Sequence, residues 1–162
     1  MSPNESHDGS AQLARLKQES AAWQALLQVM QEEEQALVDG DADRLALLNT
    51  TKLTHLQAVS EHAQSRLAGL RAAGHPSDPA GMNAWLTQHK LPDLLIRWQQ
   101  LNEMEQEAQA LNQRIGALID MRLTATRQAL NVLIHSATSH GGLYDHDGLA
   151  VAAHKGKPLT AA

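Results

Sequence analysis

A run of apolar and small residues in the second half of the chain advances in strictly alternating steps of three and four. A mean step of 3.5 residues is typical of the buried seam of a left-handed coiled coil. The spacing therefore predicts one long helix over residues 93–135, and a helix of that length makes us expect an elongated molecule. The run comprises Leu101, Met104, Ala108, Leu111, Ile115, Leu118, Arg122, Ala125, Ala129 and Val132.

Two earlier segments repeat the helical pattern and complete a bundle. Looser apolar stripes predict helices over residues 10–39 and 41–73. Gly40 suits the left-handed position that ends a helix, and Asp41 or Asp43 is a typical N-cap. Because the connection between these helices is so short, the sequence predicts an antiparallel hairpin.

Further helical signals lie between the hairpin and the long helix. Residues 75–82 contain two prolines and predict a loop, after which residues 83–90 predict a short helix. Trp85 in that helix is expected to pin it to the bundle, whereas Trp23 and Trp98 lie on apolar stripes and are expected in the core. The predicted fold is all-α: a helical hairpin plus a long third helix in a coiled-coil-like three-helix bundle.

Both ends of the chain lack this pattern. Residues 1–9 are polar, and residues 136–162 carry four glycines without a helical stripe. The sequence therefore predicts a disordered N-terminus at 1–9, a helical domain at 10–135 and a flexible C-terminal tail at 136–162.

The composition excludes several classes of protein. Leucine and alanine occupy 25 and 26 of the 162 positions, whereas aromatic residues make up 2%, which disfavours β architectures and base-stacking nucleic-acid modules. A net charge of −5 further disfavours a nucleic-acid partner. No apolar run is long enough to insert in a membrane, and the N-terminus does not resemble a secretory signal, so a cytoplasmic location is expected.

The side chains that could carry chemistry occur in unsuitable patterns. There is no cysteine, and the nine histidines form neither HExxH nor ExxH motifs, so no metal and no cofactor is predicted. The run Glu32, Glu33 and Glu34 points around three sides of one helix and is interpreted as a solvated acidic face. Lys52 and Arg122 interrupt seams, where they would set helix register or extend to solvent. We therefore expect no enzyme.

What remains is apolar surface on more than one side of residues 118–134. A helix that is apolar on two sides needs two neighbours. Another helix of this chain or a second copy would cover the extra face in a structural homo-oligomer or adaptor, and an amphipathic helix of a partner would cover it in a binding protein. Periodicity leaves both alternatives open. The residues concerned are Leu118, Ile119, Leu123, Leu130, Leu133 and Ile134.

Three local strings, taken in order and spacing, resemble the FlgN family of flagellar export chaperones. The first is EQALxxGDxxxLxxL from Glu34, followed by Lys52 and Arg66. The second is LNxxIGxLIxxRLxxxRxALxVL from Leu111, and the third is LYDxDG from Leu143 with a small-residue tail. The resemblance covers about residues 13–160.

The resemblance implies a non-enzymatic, cytoplasmic type III secretion chaperone. It implies binding of the hook–filament junction proteins FlgK and FlgL at their C-terminal helical regions, and delivery to the cytoplasmic domain of the export-gate protein FlhA. It places client binding in the C-terminal part of the chain and gate docking at Tyr144. The client-binding residues expected on this basis are Leu118, Ile119, Arg122, Leu123, Ala129, Leu130, Leu133 and Ile134.

Overall fold

The computed structural model describes residues 3–141 of the chain, with the surroundings of side chains given from residue 9 to residue 139. The described residues form four helices and no strand. The helices are α1 (Pro3–Asp39), α2 (Ala42–Ala72), α3 (Pro79–His89) and α4 (Pro92–Gly141). The all-α prediction is confirmed.

The first two helices form the predicted hairpin. Gly40 adopts the left-handed conformation with φ 73°, and the backbone N–H of Asp41 donates to the Ala36 carbonyl. The Asp41 carboxylate then accepts a hydrogen bond from the backbone N–H of Arg44, which makes it the N-cap of α2. A sharp turn with a capped exit follows directly from the Asp-Gly-Asp sequence at this point.

Helix α1 begins at Pro3, within the segment 1–9 for which the sequence predicts disorder. Proline is compatible with the first turn of a helix, and the polar residues after it are no barrier to helix formation. Gly9 is buried, and a Cβ there would approach within 3.1 Å of the Leu91 side chain. Packing against the α3–α4 connection thus extends the helix into a segment whose composition alone suggested a free end.

Two other boundaries also lie beyond the predicted ones. The Asp78 side chain accepts a hydrogen bond from the backbone N–H of Gly81 and Pro79 occupies the first turn, so α3 begins four residues before Asn83. At the other end, α4 continues past His135 to Gly141, six residues beyond the predicted end of the long helix. The rest of the predicted flexible tail lies outside the described residues.

The order of contacts along the chain fixes the directions of the helices. Glu19 pairs with Arg66 and Glu33 with Lys52, so α1 and α2 run antiparallel. Gln31 bonds to Glu107 and Glu34 to Arg114, so the first part of α4 runs parallel to α1. Each helix in this region therefore contributes one face to a common interior.

One end of this interior is built around tryptophan. Trp85 of α3 is fully buried, which confirms that the short helix is pinned to the bundle. Trp98 is buried beside it and its indole N–H donates to the side-chain oxygen of Asn83 at 3.1 Å. The cluster draws on all four helices and comprises Leu16, Leu70, Met82, Trp85, Leu86, Leu94, Trp98 and Leu101.

A small cluster of Val29, Ala36 and Leu48 lies between α1 and α2. The second large cluster is aliphatic and lies between α1, α2 and α4. Its buried members are Leu26, Leu27, Met30, Leu37, Val59, Ala108, Leu111 and Ile115. The half-buried Trp23 packs against both large clusters and joins them. Leu56, a member of the apolar stripe on α2, is 43% exposed and does not belong to these clusters.

The chain divides into two compact units at residue 119. The first unit, residues 1–119, contains α1, α2, α3, the buried clusters and the beginning of α4. The second unit begins at Asp120, and its described part is helical.

Candidate interaction surface

Buried polar contacts hold the helices of the first unit in register. The Glu19 carboxylate is 1% exposed and accepts two hydrogen bonds from the Arg66 guanidinium, at 2.7 and 3.2 Å. The same guanidinium lies 4.8 Å from the centre of the Trp98 ring. One arginine of α2 thereby contacts both α1 and α4, and it does so through a charge pair and a cation–π contact.

The acidic run at residues 32–34 is not the solvated face predicted from the sequence. Glu33 is buried and binds Lys52 of α2 at 2.7 Å, and Glu32 lies 3.6 Å from Arg44. Glu34 binds Arg114 of α4 at 2.7 Å. Three successive glutamates on a helix point in different directions, so each one meets a basic residue on a different side of α1. Lys52 interrupts its stripe because it serves as one of these partners.

The hydrogen bond between Arg114 and Glu34 also shifts the pKa of each group. The hydrogen bond from Arg114 lowers the pKa of the Glu34 carboxyl, and the same bond raises the pKa of the Arg114 guanidinium. The pair therefore carries full opposite charges at neutral pH.

The surface that sequence analysis singled out lies at the end of the described chain. Residues 119–139 are exposed without exception. We call residues 120–139 the α4 C-terminal segment. Its large apolar side chains have about half or more of their surface exposed to solvent, with values of 46% for Leu123, 54% for Leu130 and 65% for Leu133.

The predicted client-binding residues fall on both sides of the unit boundary. Leu118 is half-buried against the aliphatic cluster of the first unit, and Ile119 is 46% exposed. All the others belong to the α4 C-terminal segment and are exposed: Arg122, Leu123, Ala129, Leu130, Leu133 and Ile134. Tyr144, the predicted docking residue, lies outside the described residues.

Two further apolar residues of the segment were not among the predicted binding residues. Met121 is 67% exposed and Val132 is 68% exposed, more than any of the predicted leucines. Val132 was placed in the buried seam because it continues the 3-4 spacing, but no buried residue follows Ile115 within the described range. The 3-4 spacing identifies which residues of α4 can form a seam, but it does not show at which residue the helix that covers the seam ends.

Polar side chains of the segment are directed to its own backbone. The hydroxyl of Thr126 donates to the Arg122 carbonyl at 2.9 Å, and that of Ser136 donates to the Leu133 carbonyl at 2.9 Å. Thr138 bonds to the Ile134 carbonyl in the same way. Since these hydroxyls already have acceptors, they do not need water when the helix surface is covered.

The described residues offer little for catalysis. Within the described range, no group of histidine, aspartate and glutamate side chains is arranged to hold a metal ion. The depressions lined by described residues include one of about 310 Å³ at the α3–α4 connection and one of about 260 Å³ beside Ile96. None of the helices between residues 3 and 141 is long and apolar enough to cross a membrane.

Comparison with known protein families settles the wider assignment. The family described as FlgN protein matches residues 10–152, most of the chain. This protein belongs to the FlgN family. The match includes the buried bundle and the α4 C-terminal segment together, in agreement with the resemblance of the three strings.

Membership defines the function in general terms. FlgN proteins are flagellar export chaperones, a family not known for enzymatic activity, and membership points to binding of flagellar export substrates. No curated protein and no solved structure gives a significant match to the chain. The clients and the contacts that bind them therefore have to be argued from the residues of this chain.

Proposed function

We propose that this FlgN protein is a cytoplasmic chaperone for the hook–filament junction proteins FlgK and FlgL. It covers their C-terminal helical regions before export and delivers them to the cytoplasmic domain of FlhA. The observation that carries the proposal is the exposure of Leu123, Leu130 and Leu133 on the α4 C-terminal segment. The resemblance to the FlgN family places client binding in this part of the chain, and the three exposed leucines give it an apolar surface.

The energetics of such a surface favour a helical client. Burying one leucine side chain contributes about 1.5–3 kcal/mol, so a few leucines supply enough driving force for a reversible complex. An amphipathic helix offers its own apolar stripe in return and satisfies its backbone hydrogen bonds internally. A client segment that polymerises through such a stripe would be blocked while the chaperone occupies it.

The same segment is suited to release as well as to capture. The binding-residue set contains aliphatic and small side chains and a single arginine. Apolar contact of moderate area gives an affinity that a competing partner at the export gate can overcome.

Client binding is tested by mixing the protein with purified FlgK or FlgL at micromolar concentration and separating the mixture by size-exclusion chromatography. We expect a co-eluting complex with either client. The double change Leu130→Ser and Leu133→Ser should abolish the complex while circular dichroism shows unchanged helix content. A matched control, Leu47→Ser and Leu53→Ser, alters two leucines of α2 that are at least as exposed and should leave binding intact. Absence of a complex with intact clients would refute the proposed function.

Gate docking is proposed to depend on Tyr144, the only tyrosine of the chain. Aromatic side chains are frequent anchors in protein interfaces. Tyr144→Ala should weaken binding of the chaperone–client complex to the FlhA cytoplasmic domain in a pull-down, and it should leave the chaperone–client complex unchanged. If the same change abolished client binding too, docking and client capture would not be separate sites.

A further inference from the structure

Two apolar side chains near the start of α4 are exposed and border separate depressions of the first unit. Leu95 is 43% exposed and Ile96 is 52% exposed. Because a helix turns by about 100° from one residue to the next, these neighbours point in different directions. Leu95 lines the depression of about 310 Å³ at the α3–α4 connection, and Ile96 lines the depression of about 260 Å³ between α1 and α4. We call residues 86–100, together with Leu13 and Lys17 of α1, the α3–α4 corner.

Both depressions are formed by side chains that the folded bundle holds in place. Leu86 and Leu91 line the first depression and Leu13 lines the second, and all three belong to the cluster around Trp85 or pack against it. Lys90 ends α3 in the left-handed conformation with φ 51°, and its backbone N–H donates to the Leu86 carbonyl. A ligand at the α3–α4 corner therefore does not have to order these walls, which lowers the cost of binding.

The charged side chains that line the two depressions are mostly basic. Lys90 lines the first and Lys17 and Arg97 line the second, and the described lining residues include one acid, Asp93. Lys17 and Lys90 are exposed, and Arg97 is half-buried. Among the described side chains, none of these three basic groups forms an ion pair. The α3–α4 corner thus carries an excess of positive charge on a chain whose net charge is −5.

Apolar surface next to unpaired basic groups favours a ligand of mixed chemistry. The exposed parts of Leu95 and Ile96 gain free energy when another apolar side chain covers them. The basic groups gain from carboxylates placed beside them, and such charge pairs contribute to the choice of partner and to the rate of association. A segment in which large apolar side chains lie next to aspartate or glutamate meets both requirements.

We propose that the α3–α4 corner is a second docking surface, and that its occupant is an acidic segment of a partner protein with leucine-like side chains between its carboxylates. The apolar side chains enter the depressions beside Leu95 and Ile96, and the carboxylates pair with Lys17 and Arg97. The inference goes beyond the proposed function, because the α3–α4 corner lies in the first unit and shares no residue with the client-binding set.

Two other occupants fit this surface less well. A bilayer surface does not enter two separate depressions, and an anionic membrane repels a chain of net charge −5. A symmetric pairing of two copies places the same patch on both sides of the interface, so it brings the basic groups of one corner towards those of the other. An acidic segment of another protein has neither disadvantage.

The probe for this inference is a short synthetic peptide with two leucines, each flanked by glutamates. A matched peptide carries lysine in place of every glutamate. Fluorescence anisotropy at low ionic strength should show that the glutamate peptide binds at least about tenfold more tightly than the lysine peptide, and added salt should reduce this preference. Equal binding of the two peptides would overturn the proposal.

Charge reversal in the protein locates the basic groups that matter. Lys17→Glu and, separately, Arg97→Glu should each weaken binding of the glutamate peptide by at least about threefold. Arg127→Glu is the matched control, because Arg127 is an exposed arginine of the α4 C-terminal segment and should leave binding unchanged. Circular dichroism checks that each variant is folded. A folded Lys17→Glu variant that binds like the parent, or a loss of binding with Arg127→Glu, would contradict the assignment to the α3–α4 corner.

The apolar part of the surface is tested by Leu95→Ser combined with Ile96→Ser. Both residues are exposed, so the fold should be retained while binding of the glutamate peptide falls by at least about fivefold. The change Leu130→Ser with Leu133→Ser should not reduce peptide binding. If that change abolished it and the change at Leu95 and Ile96 did not, the peptide would bind the α4 C-terminal segment and the proposal would fail.

The same variants keep this inference separate from the proposed function. The Leu95→Ser and Ile96→Ser variant should still form a complex with FlgK or FlgL. A failure of the parent protein to bind either client would refute the proposed function and leave the peptide results at the α3–α4 corner standing. Loss of peptide preference with intact client complexes would refute the second docking surface alone.

The two other occupants are tested with the protein alone. The protein should not sediment with vesicles of phosphatidylglycerol, and light scattering should show no dimer that Ile96→Ser dissociates. Sedimentation that Arg97→Glu abolishes would make the α3–α4 corner a membrane-binding face. A dimer that Ile96→Ser dissociates would make a second copy the occupant. Either result would overturn the assignment to an acidic segment of a partner protein.

Discussion

The guanidinium of Arg66, on α2, contacts both α1 and α4. It binds the buried Glu19 carboxylate and lies over the Trp98 ring. Each charge of this buried pair takes the place of the water that the other has lost, and this compensation requires both partners. The residue therefore matters less for the attraction it adds than for the buried charge that its removal would leave behind.

Replacing Arg66 by methionine should accordingly be costly. Arg66→Met keeps much of the aliphatic volume but leaves Glu19 buried without a counter-charge, which lowers the free energy of unfolding by about 3–5 kcal/mol. Urea unfolding followed by circular dichroism measures the loss. The double change Glu19→Met and Arg66→Met removes both charges and should recover part of the stability. A single variant as stable as the parent would contradict this account of the pair.

The exposed pair formed by Glu34 and Arg114 should change the pH dependence of stability more than the size of the stability itself. Because the hydrogen bond from Arg114 lowers the pKa of Glu34 in the folded state, the pair stabilises the fold above the ordinary carboxyl pKa. That contribution is lost as the pH falls through the lowered pKa. The difference in melting temperature between the parent and Glu34→Gln should thus be largest near neutral pH and shrink as the pH falls below the ordinary carboxyl pKa. A difference that grows on acidification would contradict the shift.

At the scale of elements, the start of α3 depends on one glycine. Gly81 is buried in the first turn of the helix, and a Cβ at this position would overlap the backbone carbonyl of Pro76. The loop before α3 closes over the helix at this point. The position thus tolerates no side chain, although its backbone conformation is ordinary.

Two glycine-to-alanine changes separate the effect of this close approach from the effect of helix propensity. Gly116 lies in α4, and a methyl group added there would meet no other side chain or helix within 4 Å, so Gly116→Ala should stabilise the protein by about 0.5–1 kcal/mol. Gly81→Ala should instead destabilise it, because the loop or the helix must move apart. Thermal unfolding of the two variants should shift in opposite directions. A stabilised Gly81→Ala variant would show that the loop gives way freely.

The helices themselves were largely predictable from the sequence, because their signals are local. The Asp-Gly-Asp turn, the proline at the start of α4 and the apolar spacing of α4 each act within a few residues. The beginning of α1 was not predictable in this way, because it depends on the contact of Gly9 with Leu91, far away in the chain. The partners of Glu32, Glu33 and Glu34 were missed for the same reason, since charge runs carry no information about distant helices.

The candidate surface was only partly predictable. Its apolar residues follow from the double stripe in the sequence, but the point at which the seam changes from buried to exposed does not. Leu118 is half-buried and Ile119 is exposed, although both continue an uninterrupted pattern. Where a partner helix ends is a property of tertiary structure, and no periodicity in α4 records it.

For the molecule as a whole, stability and binding are assigned to different parts of the chain. The buried clusters and the ion pairs of Glu19, Glu32, Glu33 and Glu34 belong to residues 1–119. The exposed leucines of the proposed binding surface belong to the α4 C-terminal segment. Changes in the second unit should therefore alter client binding with little effect on the unfolding of the first.

Hydrogen–deuterium exchange of the chaperone, with and without the C-terminal region of FlgK, tests this central claim most directly. Binding of a client helix to the exposed leucines of the α4 C-terminal segment should slow exchange of backbone amides across residues 120–139, because it suppresses opening of an otherwise uncovered helix. Exchange in α1 and α2 should remain unchanged. Protection confined to α1, α2 or α3, with none in residues 120–139, would contradict the account.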